Sequence, residues 1–139
     1  MQIKSLDHLH IYAANAELSA QFYIEHFDAT FMVENKNNNG DTRIFLSLGG
    51  QVLVLGDFPK GLGPKALPAA GDGAYAVGHG ISHFGLRVGD VEAALEELRR
   101  ADVDILSLPV TEESGLTYAY ISAPDGVVIE LTQYGADAS

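Results

Sequence analysis

The sequence predicts an α+β fold of paired β-α-β-β-β modules, forming a curved sheet around a cavity. Three observations carry this. A histidine-bearing strand followed by an amphipathic helix is written twice, at Asp7-His8-Leu9-His10-Ile11-Tyr12 and at Gly80-Ile81-Ser82-His83-Phe84-Gly85-Leu86-Arg87-Val88. Each copy is followed by three further strand-like runs in the same order, with His8 placed over His83 at an offset of 75 (83 minus 8). A proline- and glycine-rich stretch without periodicity separates them. The repeat lies in pattern rather than in residue identity, and each small sheet needs a partner to cover its apolar face.

The elements follow in order. Residues 3–12 alternate, with Leu6, His8 and His10 on one face and Asp7, Leu9 and Ile11 on the other, so a first strand is expected there. Asn15 suits a helix N-cap, and Leu18, Phe22 and Phe27 are spaced for one face of a helix through about His26. Residues 30–34 are rich in β-formers and read as the second strand. Lys36-Asn37-Asn38-Asn39-Gly40-Asp41 has hairpin chemistry, because Asn and Gly tolerate positive φ. Strands at 42–48 and 51–55 flank a tight Gly49-Gly50 turn. Residues 57–80 read as a linker or lid, with His79 at its exit. In the second half, a strand at 82–88 precedes a helix capped by Asp90, in which Val91, Ala94, Leu95 and Leu98 fall at helical spacing up to Arg100. Strands at 103–108, 117–122 and 127–133 complete it, with turns at 111–115 and 123–126. Module one thus takes 1–56 and module two 81–139 of a single domain, 1–139.

Composition narrows the function. A chain of 139 residues, 47% hydrophobic, is long enough for a real core. Its net charge of −11, with eight scattered Lys and Arg, argues against nucleic acid as a partner. The absence of cysteine excludes disulfides and thiolate metal sites. No apolar run approaches the roughly 18 residues of a membrane span, and no targeting signal is evident, so a cytoplasmic protein without a membrane partner is expected.

The chemistry centres on three residues. His8 and His83 head equivalent strands of the two modules. Glu130 interrupts the apolar run Val127-Val128-Ile129-Glu130-Leu131, where a buried carboxylate costs several kcal/mol unless compensated. A divalent cation would compensate it. Two histidines and one carboxylate form a facial triad with open positions, which suits Fe(II) first and tolerates Mn, Zn, Co or Ni. His10 shares the face of His8 and is placed for proton transfer, or to replace a further ligand. Arg87 shares the face of His83 and is a candidate for orienting an anionic substrate, or for pairing with an acid.

In order and spacing, Leu6-Asp7-His8-Leu9-His10-Ile11, the helix ending in Phe22-Tyr23, the 80–88 stretch and Pro124-Asp125-Gly126-Val127-Val128-Ile129-Glu130-Leu131-Thr132-Gln133 resemble the vicinal oxygen chelate superfamily. That superfamily includes glyoxalase I, methylmalonyl-CoA epimerase, fosfomycin-resistance transferases, extradiol dioxygenases and bleomycin-resistance proteins. The resemblance implies metal ligands at His8, His83 and Glu130. It places a further ligand on the 51–55 strand, where this chain offers only Leu53 or Val54. That departure argues against glyoxalase I and the epimerase, whose base position falls near Arg43. Tyr120, followed by Pro124, Gly126 and Glu130, is similar to the tail of the extradiol dioxygenase signature, which implies that Tyr120 hydrogen-bonds the substrate, with Tyr118 beside it. The expectation is therefore a small dioxygenase-like enzyme acting on a substrate with vicinal oxygens. Its metal would be held by His8, His83 and Glu130, its protons moved by His10 and Tyr120, and its substrate contacted by Tyr118, Arg43 and Arg87. The alternatives are a glyoxalase-like lyase or isomerase, a fosfomycin-type thiol transferase, and a non-catalytic drug-binding protein of the bleomycin-resistance type. A homodimer is expected by the same resemblance.

Overall fold

The computed structural model describes residues 1–62 and 80–135. The chain divides into two compact units, Met1–Lys65 and Ala66–Ser139.

In the first unit the order is β1 (His8–Ala13), α1 (Ala16–Phe27), β2 (Thr30–Lys36), β3 (Thr42–Leu48) and β4 (Gln51–Asp57). The sheet runs β1-β4-β3-β2, with β1 parallel to β4 and the other neighbours antiparallel. The first strand is shorter than its alternation implies, beginning at His8 rather than residue 3. Helix α1 starts where expected, with the Leu18 N–H donating to Asn15 Oδ1 at 3.1 Å. Its buried face differs from the expected one: Ala16, Ser19, Ala20 and Tyr23 are buried, whereas Leu18 is 64% exposed. Small side chains let the helix approach the sheet closely and Tyr23 fills the remaining depth, so size overrides hydrophobicity in choosing the face. Strand β2 runs two residues past 34, with a bulge between Phe31 and Val33. The hairpin closes as its chemistry requires. Asn37 Oδ1 accepts from the N–H groups of Asn39 and Asp41, and Gly40 takes φ 83°. The register Leu9↔Leu53↔Leu46 and Ile11↔Leu55↔Ile44 stacks one apolar face, on which α1 packs. His8, His10 and Tyr12 alternate onto the opposite face.

The second unit repeats this order with β5 (Phe84–Arg87), α2 (Val91–Arg100), β6 (Val110–Thr111), β7 (Thr117–Ser122), a single 3-10 turn (Pro124–Gly126) and β8 (Val128–Gln133). Its sheet runs β5-β8-β7-β6, again with the first strand parallel to the last. Helix α2 buries Val91, Leu95 and Leu98 and packs on β7 and β8, whose Ala119, Ile121, Ile129 and Leu131 are fully buried. Two expectations need correction. His83 lies just ahead of the strand, which begins at Phe84. Residues 103–108 form no ladder strand; a lone Ile105↔Ile121 bridge stands there and the edge strand is displaced to Val110–Thr111. The cause is local. Ser107 Oγ accepts the Tyr120 N–H at 2.9 Å, taking the place of a backbone carbonyl, and Pro109 has no N–H to contribute.

The two sheets and two helices are the α+β architecture expected. Of the connection read at 57–80, residues 57–62 and Gly80 are described, with β4 extending to Asp57; residues 63–79, including His79, lie outside the described residues. No helix among the described residues is long and apolar enough to cross a membrane.

Candidate metal-binding and substrate site

Strand alternation places Gly85 and Arg87 of β5, Glu130 and Thr132 of β8, and Tyr118 and Tyr120 of β7 on the face of the second sheet opposite α2. The register confirms the rows: Gly85↔Glu130↔Tyr120 and Arg87↔Thr132↔Tyr118. His83 folds back over this face, and its Nε2 stands 3.0 Å from Glu130 Oε2. The two side chains are 25% and 20% exposed, so the pair is neither fully solvated nor sealed. Ser82 Oγ lies 2.8 Å from His83 Nδ1 and aims the other ring nitrogen at the carboxylate. The Tyr120 ring meets the His83 ring edge-on at 5.2 Å, and Tyr118 follows at 5.9 Å from Tyr120. Glu130 leans over Gly85, whose missing side chain leaves that space: a Cβ there would lie 3.8 Å from Oε2.

This donor set fits a divalent cation. In the tautomer in which Ser82 Oγ accepts from Nδ1–H, Nε2 presents a lone pair to an anionic oxygen; in the other, Nε2–H donates to Glu130. In the first case two acceptors stand 3.0 Å apart and need a proton or a cation between them. The serine plays the orienting part that outer partners play for metal-bound histidines.

The first unit carries a polar face of its own. His8 Nδ1 lies 2.7 Å from Asp7 Oδ2. The His10 ring rests directly over Gly56: a Cβ at Gly56 would lie 2.6 Å from His10 Nε2. His10 also touches Tyr12, whose ring in turn meets Phe58. His10 is an exposed residue, but partial desolvation of its ring where it rests on Gly56 lowers its pKa from the usual 6.5, and the charges of His8 and Arg43 push it the same way. Arg43 is tethered by donation from Nε to Asn35 Oδ1 at 2.9 Å, and its guanidinium stands over the Phe45 ring.

The register also decides between Leu53 and Val54. His10 pairs with Val54 as Gly85 pairs with Glu130, so Val54 holds in the first sheet the place of Glu130 in the second, while Leu53 faces the helix side with Leu9. The histidine and the ligand-poor position are thus neighbours.

Of the expected site residues, His83, Glu130 and Tyr120 are brought together, with Tyr118 and Arg87 in the next row. His8, His10 and Arg43 lie on the other unit. Among the described residues no group of three or more His, Asp or Glu side chains is gathered. Arg87 makes no carboxylate pair among the described residues; its guanidinium sits 4.3 Å from the centre of the Tyr134 ring. Gly56, Ser82, Asn35 and Tyr134 were not singled out from sequence. Only Gly56 left a signal, a glycine directly after the apolar run Leu53-Val54-Leu55, which marks close approach of another group.

Comparison with solved structures bears out the fold. A glyoxalase family protein from Enterococcus faecalis superposes with TM-score 0.73 at 23% identity, covering 95% of this chain and 99% of that one. A glyoxylase/bleomycin resistance protein/dioxygenase domain from Frankia sp. EAN1pec gives 0.76 at 17%, covering 99% and 96%. The fosfomycin resistance protein FosX from Listeria monocytogenes, solved in complex with Mn(II) and sulfate, gives 0.68 at 12%, covering 98% and 97%. The family model for the Glyoxalase/Bleomycin resistance protein/Dioxygenase superfamily matches residues 5–131, and the chain belongs to that superfamily.

Proposed function

We propose that this protein is a divalent-metal enzyme for a small substrate with vicinal oxygens, and that its reaction is of the extradiol dioxygenase kind. His83 and Glu130 would hold the metal, with His8 of the first unit as the third ligand, so that residues 1–139 act as one domain. Fe(II) is the first choice on donor chemistry. A metal bound there supplies Lewis acidity, lowering the pKa of a chelated hydroxyl. Tyr120 would donate a hydrogen bond to a substrate oxygen beside His83. His10, kept neutral by partial desolvation and nearby positive charge, is a proton acceptor near neutral pH. Arg43 and Tyr118 would contact the substrate. The working form is taken to be a homodimer, as the resemblance implies.

The observation that carries this reading is the 3.0 Å His83–Glu130 pair beside the Tyr120 ring. A phenolic wall next to a cation-seeking pair favours an aromatic chelate over an aliphatic one. The test is oxygen uptake on a catechol panel after Fe(II) is restored. Uptake that vanishes in Glu130→Gln supports the reading, and its absence for every catechol overturns the dioxygenase assignment. Metal-dependent isomerisation of a thiol adduct, or thiol addition to a phosphonate epoxide, would move the assignment to the lyase or transferase alternatives. Ligand retention unaffected by metal removal would move it to the drug-binding class.

A further inference from the structure

The structure assigns to Arg87 a subsite for an anionic group on the substrate, so the ligand class is a vicinal diol or its equivalent that also bears a carboxylate. The inference rests on the metal-chelate reading of the His83–Glu130 site, but not on which reaction follows. Arg87 is one row from the candidate metal ligand, because Gly85 pairs with Glu130 and Arg87 with Thr132. Two residues along a strand amount to about 6.6 Å. Both rows share a face, since the open side of Gly85 is the side on which Glu130 Oε2 lies. A carboxylate across one benzene ring from the chelating oxygens spans that interval.

The guanidinium is also held ready. It stands over the Tyr134 ring at 4.3 Å, and Tyr134 is 48% exposed. Stacking fixes the plane of an arginine while leaving its N–H edge available, and that edge matches a carboxylate in bidentate fashion. Among the described residues no Asp or Glu occupies that edge, although the chain carries nineteen of them. Thr132 and Tyr118 complete the row with hydroxyl groups. Gly85, between His83 and Arg87, adds no side chain of its own to the strand, and the Glu130 carboxylate uses the space it leaves. The net charge of −11 repels anions at long range, so recognition here works at contact.

The experiment is equilibrium binding of 3,4-dihydroxybenzoate and of 1,2-dihydroxybenzene to the full chain loaded with redox-silent Zn(II). Wild type, Arg87→Lys and Arg87→Met are compared. Wild type is expected to favour the carboxylated probe on the order of tenfold, the value of one charge-assisted contact. Arg87→Met is expected to erase the preference while leaving affinity for 1,2-dihydroxybenzene unchanged, and Arg87→Lys to keep part of it. Equal binding of the two probes by wild type, a preference that survives in Arg87→Met, or binding of neither probe overturns the assignment. A preference that follows Arg87 without any oxygen uptake would sink the dioxygenase reading alone and leave the subsite standing.

Discussion

Gly56→Ala places a methyl group where the His10 ring now rests. Ordinary contact begins at 3.4 Å and the added Cβ would lie 2.6 Å from Nε2, so the ring must retreat by about 0.8 Å. The backbone can accept alanine, because Gly56 is not among the residues with positive φ. Removing a glycine lowers unfolded-state entropy, a gain of about 0.4–1 kcal/mol, and tilting the ring off its rotamer costs about 0.5–1.5 kcal/mol. The two nearly offset, so global stability is expected to stay within about 1 kcal/mol of wild type. The local effect is larger. Partial desolvation of the ring is the first cause of the lowered His10 pKa, so a ring lifted off Gly56 is expected to titrate closer to 6.5. A histidine held neutral by folding binds its proton more readily in the unfolded chain. His10 therefore contributes stability above about pH 6.5, which drains away as pH falls from 6.5 toward the lowered folded value. Gly56→Ala is expected to flatten that slope. Imidazole NMR titration of metal-free protein, with denaturant unfolding at several pH values between 5 and 7.5, reads both effects. A His10 titration identical in wild type and a folded Gly56→Ala variant would refute the reasoning.

Two further perturbations test other levels of the structure. Ser82→Ala removes the group 2.8 Å from His83 Nδ1 and is expected to weaken metal affinity by about 10–100-fold, read by chelator competition, with unfolding free energy changed by less than about 0.5 kcal/mol. Ile129→Ala, at a fully buried position of β8 beside the site, is expected to cost about 2–5 kcal/mol in urea unfolding.

The fold was legible wherever pattern and local chemistry agreed. Helix α2 announces itself through Asp90 and an apolar stripe at Val91, Leu95 and Leu98, and those residues are the ones buried. Strands β3 and β7 alternate cleanly between turns built on Gly40, Gly49 and Gly115, whose positive φ their residue type favours, and on the Asn37 side chain, which accepts the turn N–H groups. Legibility failed where a side chain took over a backbone role or where size outweighed polarity. Residues 103–108 have strand composition, but Ser107 and Pro109 break the ladder. Leu18 has the hydrophobicity of a core residue, but Ala16, Ser19 and Ala20 have the size that close packing on the sheet requires. At the site, Glu130 stood out because a carboxylate in an apolar strand demands an explanation. The parts supplied by register did not stand out. That Val54 corresponds to Glu130, that Arg87 stands one row from the carboxylate, and that Gly56 seats His10 all depend on which residues face each other across parallel strands, which single-strand alternation does not reveal.

The central claim is that His83 and Glu130 form a metal-binding pair rather than a partly buried hydrogen-bonded pair. Co(II) titration of the chelator-treated full chain, followed by visible absorption, tests it most directly. One Co(II) per chain is expected, with affinity falling at least about tenfold in His83→Ala and in Glu130→Gln, and also in His8→Ala, which reports on the third ligand. Co(II) binding of unchanged affinity and spectrum in His83→Ala and Glu130→Gln, or no stoichiometric binding by wild type, would contradict the account.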